Sequence, residues 1–266
     1  MSKIKVAVAG CLGRMGQEIT KEVLLNKNLS FVGGFEHASH PDLNKKLNKI
    51  TSIDSDFIIT KNADQIIKKA DVLIDFTTPA STLKNIKKAA INKTAIVIGT
   101  TGITSYQKNK IKSYSKKIPV LMSSNMSLGV NLLFNLVQKT SSILNDKYYD
   151  IEISETHHKH KKDAPSGTAI SLGEFAAAGR KTNFHKAKVL DRTKKMSSRK
   201  KGTIGFSVSR GGEIAGEHNV SFIGQNDRID LFHKANNRSI FVNGAIEAAI
   251  FVNKKRNGFF SMQDLF

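Results

Sequence analysis

The chain has 266 residues, 42 Lys and Arg against 22 Asp and Glu, a formal net charge of +20, and 39% hydrophobic positions. At roughly 150 residues per domain that length holds one large or two modest domains, and 19 Gly with 4 Pro excludes collagenous, low-complexity and disordered classes. One cysteine, Cys11, excludes an internal disulfide framework and a zinc site built on several thiolates, and favours a reducing, cytoplasmic setting.

The opening run through Ile4, Val6 and Val8 to Gly10 is too short for a secretory leader, and no later run approaches the ~18 apolar residues of a membrane span, so neither secretion nor membrane insertion is expected. Runs at 4–9, 29–35, 56–60, 72–76, 95–98 and 119–122 are short, rich in Val, Ile and Phe, and lack polar alternation, as strands buried on both faces do. Helical periodicity fills the gaps, with Met15, Ile19 and Val23 on one face of 14–25 and another segment over 81–91 behind Pro79. Strand and helix alternate, which predicts a doubly wound parallel sheet.

From Ser127 the texture changes. Val130, Leu133, Phe134, Val137 and Leu144 mark a long amphipathic helix, and Ile204, Phe206 and Val208, then Val220 and Phe222, then Ile229 and Leu231 alternate as half-exposed strands do. A mixed, partly open sheet with a face needing cover is expected, and 240–251 predicts a helix returning to the first domain. The fold class is therefore α/β, a Rossmann-like doubly wound sheet plus a second α+β domain with a mixed, partly open sheet, whose cover is a helix of the same domain or another subunit. The expected boundaries are 1–127 with 239–266, and 128–238.

Gly10-Cys11-Leu12-Gly13-Arg14-Met15-Gly16 follows the first strand and opens the first helix, where backbone N–H groups attract a pyrophosphate. The spacing is G-x-x-G-x-x-G, because Leu12 occupies the usual middle glycine position, and a plain tight turn is the alternative. The second strand ends at Glu36, whose carboxylate can accept from a ribose 2′-hydroxyl, and His37 beside it can tolerate a 2′-phosphate; NADH, NADPH or both are expected. Gly99-Thr100-Thr101-Gly102, Phe76-Thr77-Thr78-Pro79 and Ser123-Ser124-Asn125-Met126 are small polar loops at the carboxyl ends of three further strands, together able to line a nicotinamide-sized crevice.

Asp150-Ile151-Glu152-Ile153-Ser154-Glu155 reads as a strand and runs into Thr156-His157-His158-Lys159-His160-Lys161-Lys162-Asp163-Ala164-Pro165-Ser166-Gly167-Thr168, with a helix over 169–178. Imidazole and ammonium groups thus stand beside a helix start at which Ser166, Gly167 and Thr168 offer donors to a carboxylate, and Lys161 adds charge. An anionic substrate is implied. Three histidines in four residues are a metal candidate, but adjacent strand residues point to opposite faces and no acidic partner stands out at ligand spacing, so no metal is expected. A nucleic-acid contact lacks interleaved aromatics, and only eight of the 42 basic residues are Arg, scattered along the chain. His and Lys are the side chains suited to deliver a proton near pH 7, which favours a catalytic site.

The ordered set Val8-Ala9-Gly10 with Gly13-Arg14-Met15-Gly16, Ile74-Asp75-Phe76-Thr77, Val97-Ile98-Gly99-Thr100-Thr101-Gly102, Asn125-Met126-Ser127, Glu155-Thr156-His157-His158 with His160-Lys161, Asp163-Ala164-Pro165-Ser166-Gly167-Thr168-Ala169 and Gly216-Glu217-His218 resembles the 4-hydroxy-tetrahydrodipicolinate reductase (dihydrodipicolinate reductase) family over essentially the whole chain. The resemblance implies hydride reduction of a cyclic dicarboxylate with loss of water, in diaminopimelate and lysine biosynthesis. It implies His157 as proton donor and acceptor, Lys161 as second proton donor, and His158, Gly167 and Thr168 as substrate-carboxylate contacts. Loops 10–15, 99–101 and 123–126 would contact the cofactor, with Glu36 at the ribose. It also implies a homotetramer built on the second domain's sheet. His37 stands where some members carry Arg, and Thr78 where some carry a basic residue. Another two-domain nicotinamide reductase of a small carboxylated substrate is the alternative reading.

Overall fold

The structure is a computed structural model describing residues 2–193 and 198–266; Met1 of the opening run, and 194–197 within the expected second domain, lie outside the described residues. The chain forms two compact units, one of residues 1–127 with 241–266, the other of 128–240.

In the first unit the elements are β1 (Ile4–Ala9), α1 (Arg14–Leu25), β2 (Leu29–Phe35), the short α2 (Leu47–Ile50) and α3 (Ala63–Ile67), β3 (Val72–Asp75), α4 (Pro79–Asn92), β4 (Ala95–Ile98), α5 (Ser105–Tyr114) and β5 (Pro119–Met122). Five strands of β-branched and small apolar residues pair in parallel in the order β2-β1-β3-β4-β5. The order reverses at β1, so β1 and β3 diverge into helices on opposite faces and leave a crevice at their carboxyl ends. Val72, Leu73 and Ile74 of β3 and Ile96, Val97 and Ile98 of β4 have no exposed surface, as strands covered on both faces require.

Three features differ from the sequence expectation. Segment 56–60 is not a strand: it makes single bridges from Thr60 to Phe35 and from Ile58 to Lys46, and its backbone bonds go to Asn44, Lys45, Leu47 and Glu36. Its apolar alternation serves a local loop, with Ile59 buried and Ile58 54% exposed. Helix α5 was not singled out among the segments between strands, because Ile111 is its one buried residue; a Thr104–Gln107 capping box starts it. The third is β11 (Gly258–Phe260), which pairs in parallel with β5 as the sheet's sixth strand.

The second unit contains α6 (Leu128–Ile143), β6 (Asp150–His157), α7 (Gly167–Gly179), α8 (Phe184–Ala187), β7 (Lys188–Val189), β8 (Ile204–Arg210), β9 (Gly216–Ile223) and β10 (Arg228–Ala235), with α9 (Ser239–Asn253) leading back into the first. The sheet is mixed, ordered β10-β9-β6-β8-β7, with β6 parallel to β8 and antiparallel to β9. Ile151, Ile153, Ile204, Phe206, Val220 and Phe222 alternate onto one face and pack under α6 and α7, where Phe134 and Phe175 stack at 4.9 Å. The sheet also carries exposed apolar side chains: Phe232 is 59% exposed, and Val208, Ile223 and Ile229 about 40%. Both sheets are open.

Candidate active site

In the first unit, Gly10 takes φ +66 at the turn after β1, and a Cβ at Gly16 would overlap the Gly10 carbonyl oxygen, so α1 can start this close to β1 only without a side chain there. Gly13 caps α1 with no side-chain bond, leaving the helix start to backbone donors. The Glu36 carboxylate, at the end of β2, reaches back and accepts the Leu12 N–H at 2.7 Å. Cys11 is fully buried under Gly34, and burial followed by the Glu36 charge pushes its thiol up to about 12, so what this position can offer a ligand is backbone.

Asp75, at the end of β3 and fully buried, is a residue whose role the sequence reading did not assign. Its carboxylate accepts from Thr77 N–H at 3.0 Å, Thr77 Oγ1 at 2.6 Å and Asn85 at 3.0 Å, and burial still raises its pKa. Thr100 joins this network, receiving the Thr77 N–H at 3.1 Å and the Thr82 hydroxyl at 2.9 Å, so one buried carboxylate braces the loops after β3 and β4. Ser123 donates to the Asn125 carbonyl at 2.7 Å and braces the loop after β5 in the same way.

Two cavities lie along this edge. One, of about 460 Å³, is lined by Gly10, Gly13, Glu36, His37, Thr77 and Thr78, with Lys61, Lys84 and Lys88 around it. The other, of about 340 Å³, is lined by Arg14, Met15, Phe76, Thr77, Gly99, Thr100, Thr101, Ser124, Met126 and Phe241. Cys11, Leu12, Ser123 and Asn125 line neither. Paired cavities sharing Phe76 and Thr77, a glycine turn at a helix start, and a carboxylate at the end of β2 fit the two halves of a dinucleotide.

In the second unit, the alternation along β6 puts Glu155 and His157 on the face that carries Ile151 and Ile153, and the register sets Glu155 directly opposite His218 of β9 and His157 beside Arg210 of β8. Four groups separated by up to 63 positions in sequence thereby meet. Glu155 is 1% exposed at its side chain. Its Oε1 accepts the Ser166 N–H at 2.8 Å and Arg210 Nη2 at 3.0 Å, while Oε2 lies 3.0 Å from His157 Nδ1 and 3.6 Å from His218 Nε2. Burial alone would raise the Glu155 pKa, but the close His157 ring and hydrogen bonds from Ser166 and Arg210 outweigh it and hold the carboxyl at about 2. Burial, then the neighbouring His157, lowers His218 to about 4, so it is neutral at pH 7.

Arg210 also donates to the Asp163 carbonyl at 2.5 Å, tying the loop before α7 to the same carboxylate. Ser166 caps α7, accepting from Ala169 N–H at 3.1 Å, and its hydroxyl lies 3.2 Å from His218 Nε2. A Cβ at Gly167 would meet nothing within 4 Å, so the first turn of α7 has open space beside Gly167. Lys161 Nζ sits 2.8 and 2.9 Å from the two Asp163 oxygens, and the lysine lowers the Asp163 pKa. His158 follows the strand end and gives its backbone N–H to Ile214 at 2.8 Å; His160 is 69% exposed.

One sequence expectation needs correction here. An acidic partner for the histidines does exist: ligand atoms of Glu155, His157 and His218 lie within 4.8 Å of one another. The i, i+2 strand spacing of Glu155 and His157 was the available signal, whereas Arg210 and His218 are brought in by strand pairing alone.

The chain matches the family described as "Dihydrodipicolinate reductase, N-terminus" over residues 4–126 and "Dihydrodipicolinate reductase, C-terminus" over 129–266. It is 42% identical to a 4-hydroxy-tetrahydrodipicolinate reductase of Buchnera aphidicola, covering 98% of this chain and 97% of that one, and 38% identical to that of Polynucleobacter necessarius, covering 98% of each. Among solved structures, the dipicolinate-bound dihydrodipicolinate reductase from Paenisporosarcina superposes with a TM-score of 0.77 at 25% identity, over 99% of this chain and 100% of the other. A diaminopimelate dehydrogenase of C. glutamicum shares the fold at a TM-score of 0.58 and 13% identity, over 99% and 94% of the two chains. From the glycine turn through the histidine segment to the last strand, the chain belongs to the dihydrodipicolinate reductase family.

Proposed function

We infer that this chain is an NAD(P)H-dependent oxidoreductase that reduces 4-hydroxy-tetrahydrodipicolinate, the (2S,4S) isomer, to tetrahydrodipicolinate with loss of water, a step of diaminopimelate and lysine biosynthesis. The observation that carries this reading is the 157–168 segment, set on the buried Glu155–Arg210–His218 cluster, in a chain about 40% identical to named reductases over its full length.

The roles divide between the units. In the first, backbone donors of the 10–15 turn would hold the pyrophosphate, Glu36 the adenosine ribose, and loops 99–101 and 123–126 the nicotinamide end. Glu36 as acceptor suits NADH, while His37, Lys61 and Lys84 around the same cavity suit a 2′-phosphate, so both nucleotides serve. When bound, the reduced nicotinamide supplies the hydride. In the second unit, the first turn of α7, open at Gly167 and flanked by Ser166 and Thr168, would receive the substrate carboxylates together with His158. The dipicolinate carried by the Paenisporosarcina relative is a dicarboxylate of this class. His157 and Lys161 deliver and accept the protons that accompany reduction and release of water. The scheme assigns no step to a metal.

Exposed Phe232, Val208, Ile223 and Ile229 support self-association through the second sheet, as a homotetramer. Among the described residues no helix is long and apolar enough to cross a membrane, and the lone buried cysteine supports a cytoplasmic setting. The deciding experiment follows NADH, then NADPH, absorbance while a synthase generates the unstable substrate from pyruvate and aspartate semialdehyde. Oxidation in wild type that is nearly lost in His157→Gln is expected. Folded protein that binds a nucleotide yet oxidises neither overturns the substrate assignment.

A further inference from the structure

A histidine that hands protons to a substrate has to present the correct nitrogen, and in this chain one side of the ring is committed. His157 Nδ1 lies 3.0 Å from Glu155 Oε2, a close contact off the straight hydrogen-bond alignment, as free enzymes often show before ligands tighten a site. The ring's Nε2 points elsewhere, toward Gly216, where an added Cβ would come within 3.0 Å of it. Glu155 itself cannot turn, because its other oxygen is held by the Ser166 N–H and by Arg210. Around the ring stand Glu155 on its own strand, Arg210 on β8 and His218 on β9, with Lys161 and His233 near enough to act on His218. Arg210 is occupied by Glu155 and by the Asp163 carbonyl, and His218 faces the ring edge-on at 5.0 Å between centroids.

We propose that Glu155 is a positioning residue for the reaction: its carboxylate, locked by the Ser166 N–H and Arg210, keeps the His157 proton on Nδ1 and so reserves Nε2 for the proton exchanged with substrate. This rests on the reading of His157 as the proton-handling residue. In neutral His157, Nδ1–H faces Oε2 and Nε2 carries the lone pair; when Nε2 takes a proton the imidazolium is stabilised by the carboxylate, and the proton that leaves again leaves from Nε2. Glu155 gains and loses no proton in the cycle.

The isosteric variant Glu155→Gln inverts this arrangement. Its amide oxygen is required by the Ser166 N–H and Arg210, so its NH2 group faces Nδ1 and forces the neutral ring to carry hydrogen on Nε2. The experiment is nitrogen NMR of imidazole-labelled, substrate-free protein at alkaline pH, with the His157 signals assigned by their loss in His157→Gln. Hydrogen on Nδ1 in wild type and on Nε2 in Glu155→Gln is expected. With it, kcat should fall on the order of 10²–10⁴-fold while the KM for nucleotide holds, as when a buried carboxylate partner of a catalytic histidine is made an amide. Hydrogen on Nε2 in wild type, or an unchanged tautomer and kcat within threefold in the variant, overturns the proposal. Should Glu155→Gln fail to fold, the wild-type tautomer alone decides. The tautomer requires no turnover, so wild type inactive with both nucleotides removes the functional reading and leaves this result standing separately.

Discussion

The Glu36 carboxylate closes onto the Leu12 backbone N–H at 2.7 Å, so the side chain proposed to read the ribose also fixes the turn proposed to hold the pyrophosphate. The two jobs separate by substitution. Glu36→Gln keeps an acceptor for Leu12 and removes the charge, so NADH affinity should fall about tenfold with NADPH affinity held or improved, an effect the size of one charge-assisted hydrogen bond. Glu36→Ala also releases the turn and should weaken both nucleotides. Fluorescence titration of each nucleotide checks this, and a selective NADH loss in the alanine variant would show that the Leu12 bond does not matter.

Removing a proton donor should spare binding. His157→Gln is expected to lower kcat by roughly 10²–10⁴ with the nucleotide Kd nearly unchanged, and Lys161→Ala by roughly 10² or more. Steady-state kinetics beside nucleotide titration reads both. A variant of either residue with near-normal kcat would remove it from the proton path.

Acid stability should carry the signature of the buried cluster. His218 sits at about 4, below the ordinary imidazole value of 6.5, so between those pH values the unfolded chain binds a proton that the native chain does not, and stability falls as the pH is lowered. Glu155, at about 2 against 4.5, contributes stability that is present above 4.5 and lost as pH falls toward 2. Each group steepens the decline by at most about 1.4 kcal/mol per pH unit within its window. Melting temperature against pH should therefore be flatter from 6.5 to 4 in His218→Gln than in wild type. Parallel curves would count against the neutral buried histidine.

Cys11 should be silent toward thiol reagents. Fully buried and pushed up to about 12, it presents no thiolate at pH 8, and a colorimetric disulfide reagent should label it only after denaturant is added. Rapid labelling of the native protein would show that the glycine turn opens.

The parallel strands and their helices were legible because each writes its own local pattern, an apolar run or a 3.6-residue stripe. Helix α5 carries little of that pattern, since it buries Ile111 alone, and β11 is three residues long beside an exposed terminus of α9. Segment 56–60 carried the pattern without being a strand, because its apolar residues pack under a loop. At the site, the glycine turn and the His157–Thr168 run announce themselves in contiguous sequence. Asp75 looked like one more strand residue; its burial and its bonds to Thr77 and Asn85 follow from two loops converging on it. Arg210 and His218 stand 55 and 63 positions from Glu155, and the β6–β8 and β6–β9 registers alone make them its neighbours.

The six-stranded sheet takes its last strand, β11, and the helix segment from Phe241 onward from beyond the whole of the second unit. During synthesis, residues 128–240 therefore leave the ribosome before the first unit can complete its sheet. At elongation rates of roughly 5–20 residues per second, the β5 edge waits at least several seconds with its backbone donors and acceptors unpaired. The nascent nucleotide-binding unit thus passes through an obligatory unfinished stage that ends only when β11 reaches the β5 edge, and a slow-translating stretch within 128–240 would prolong its exposure to misassociation and chaperone capture.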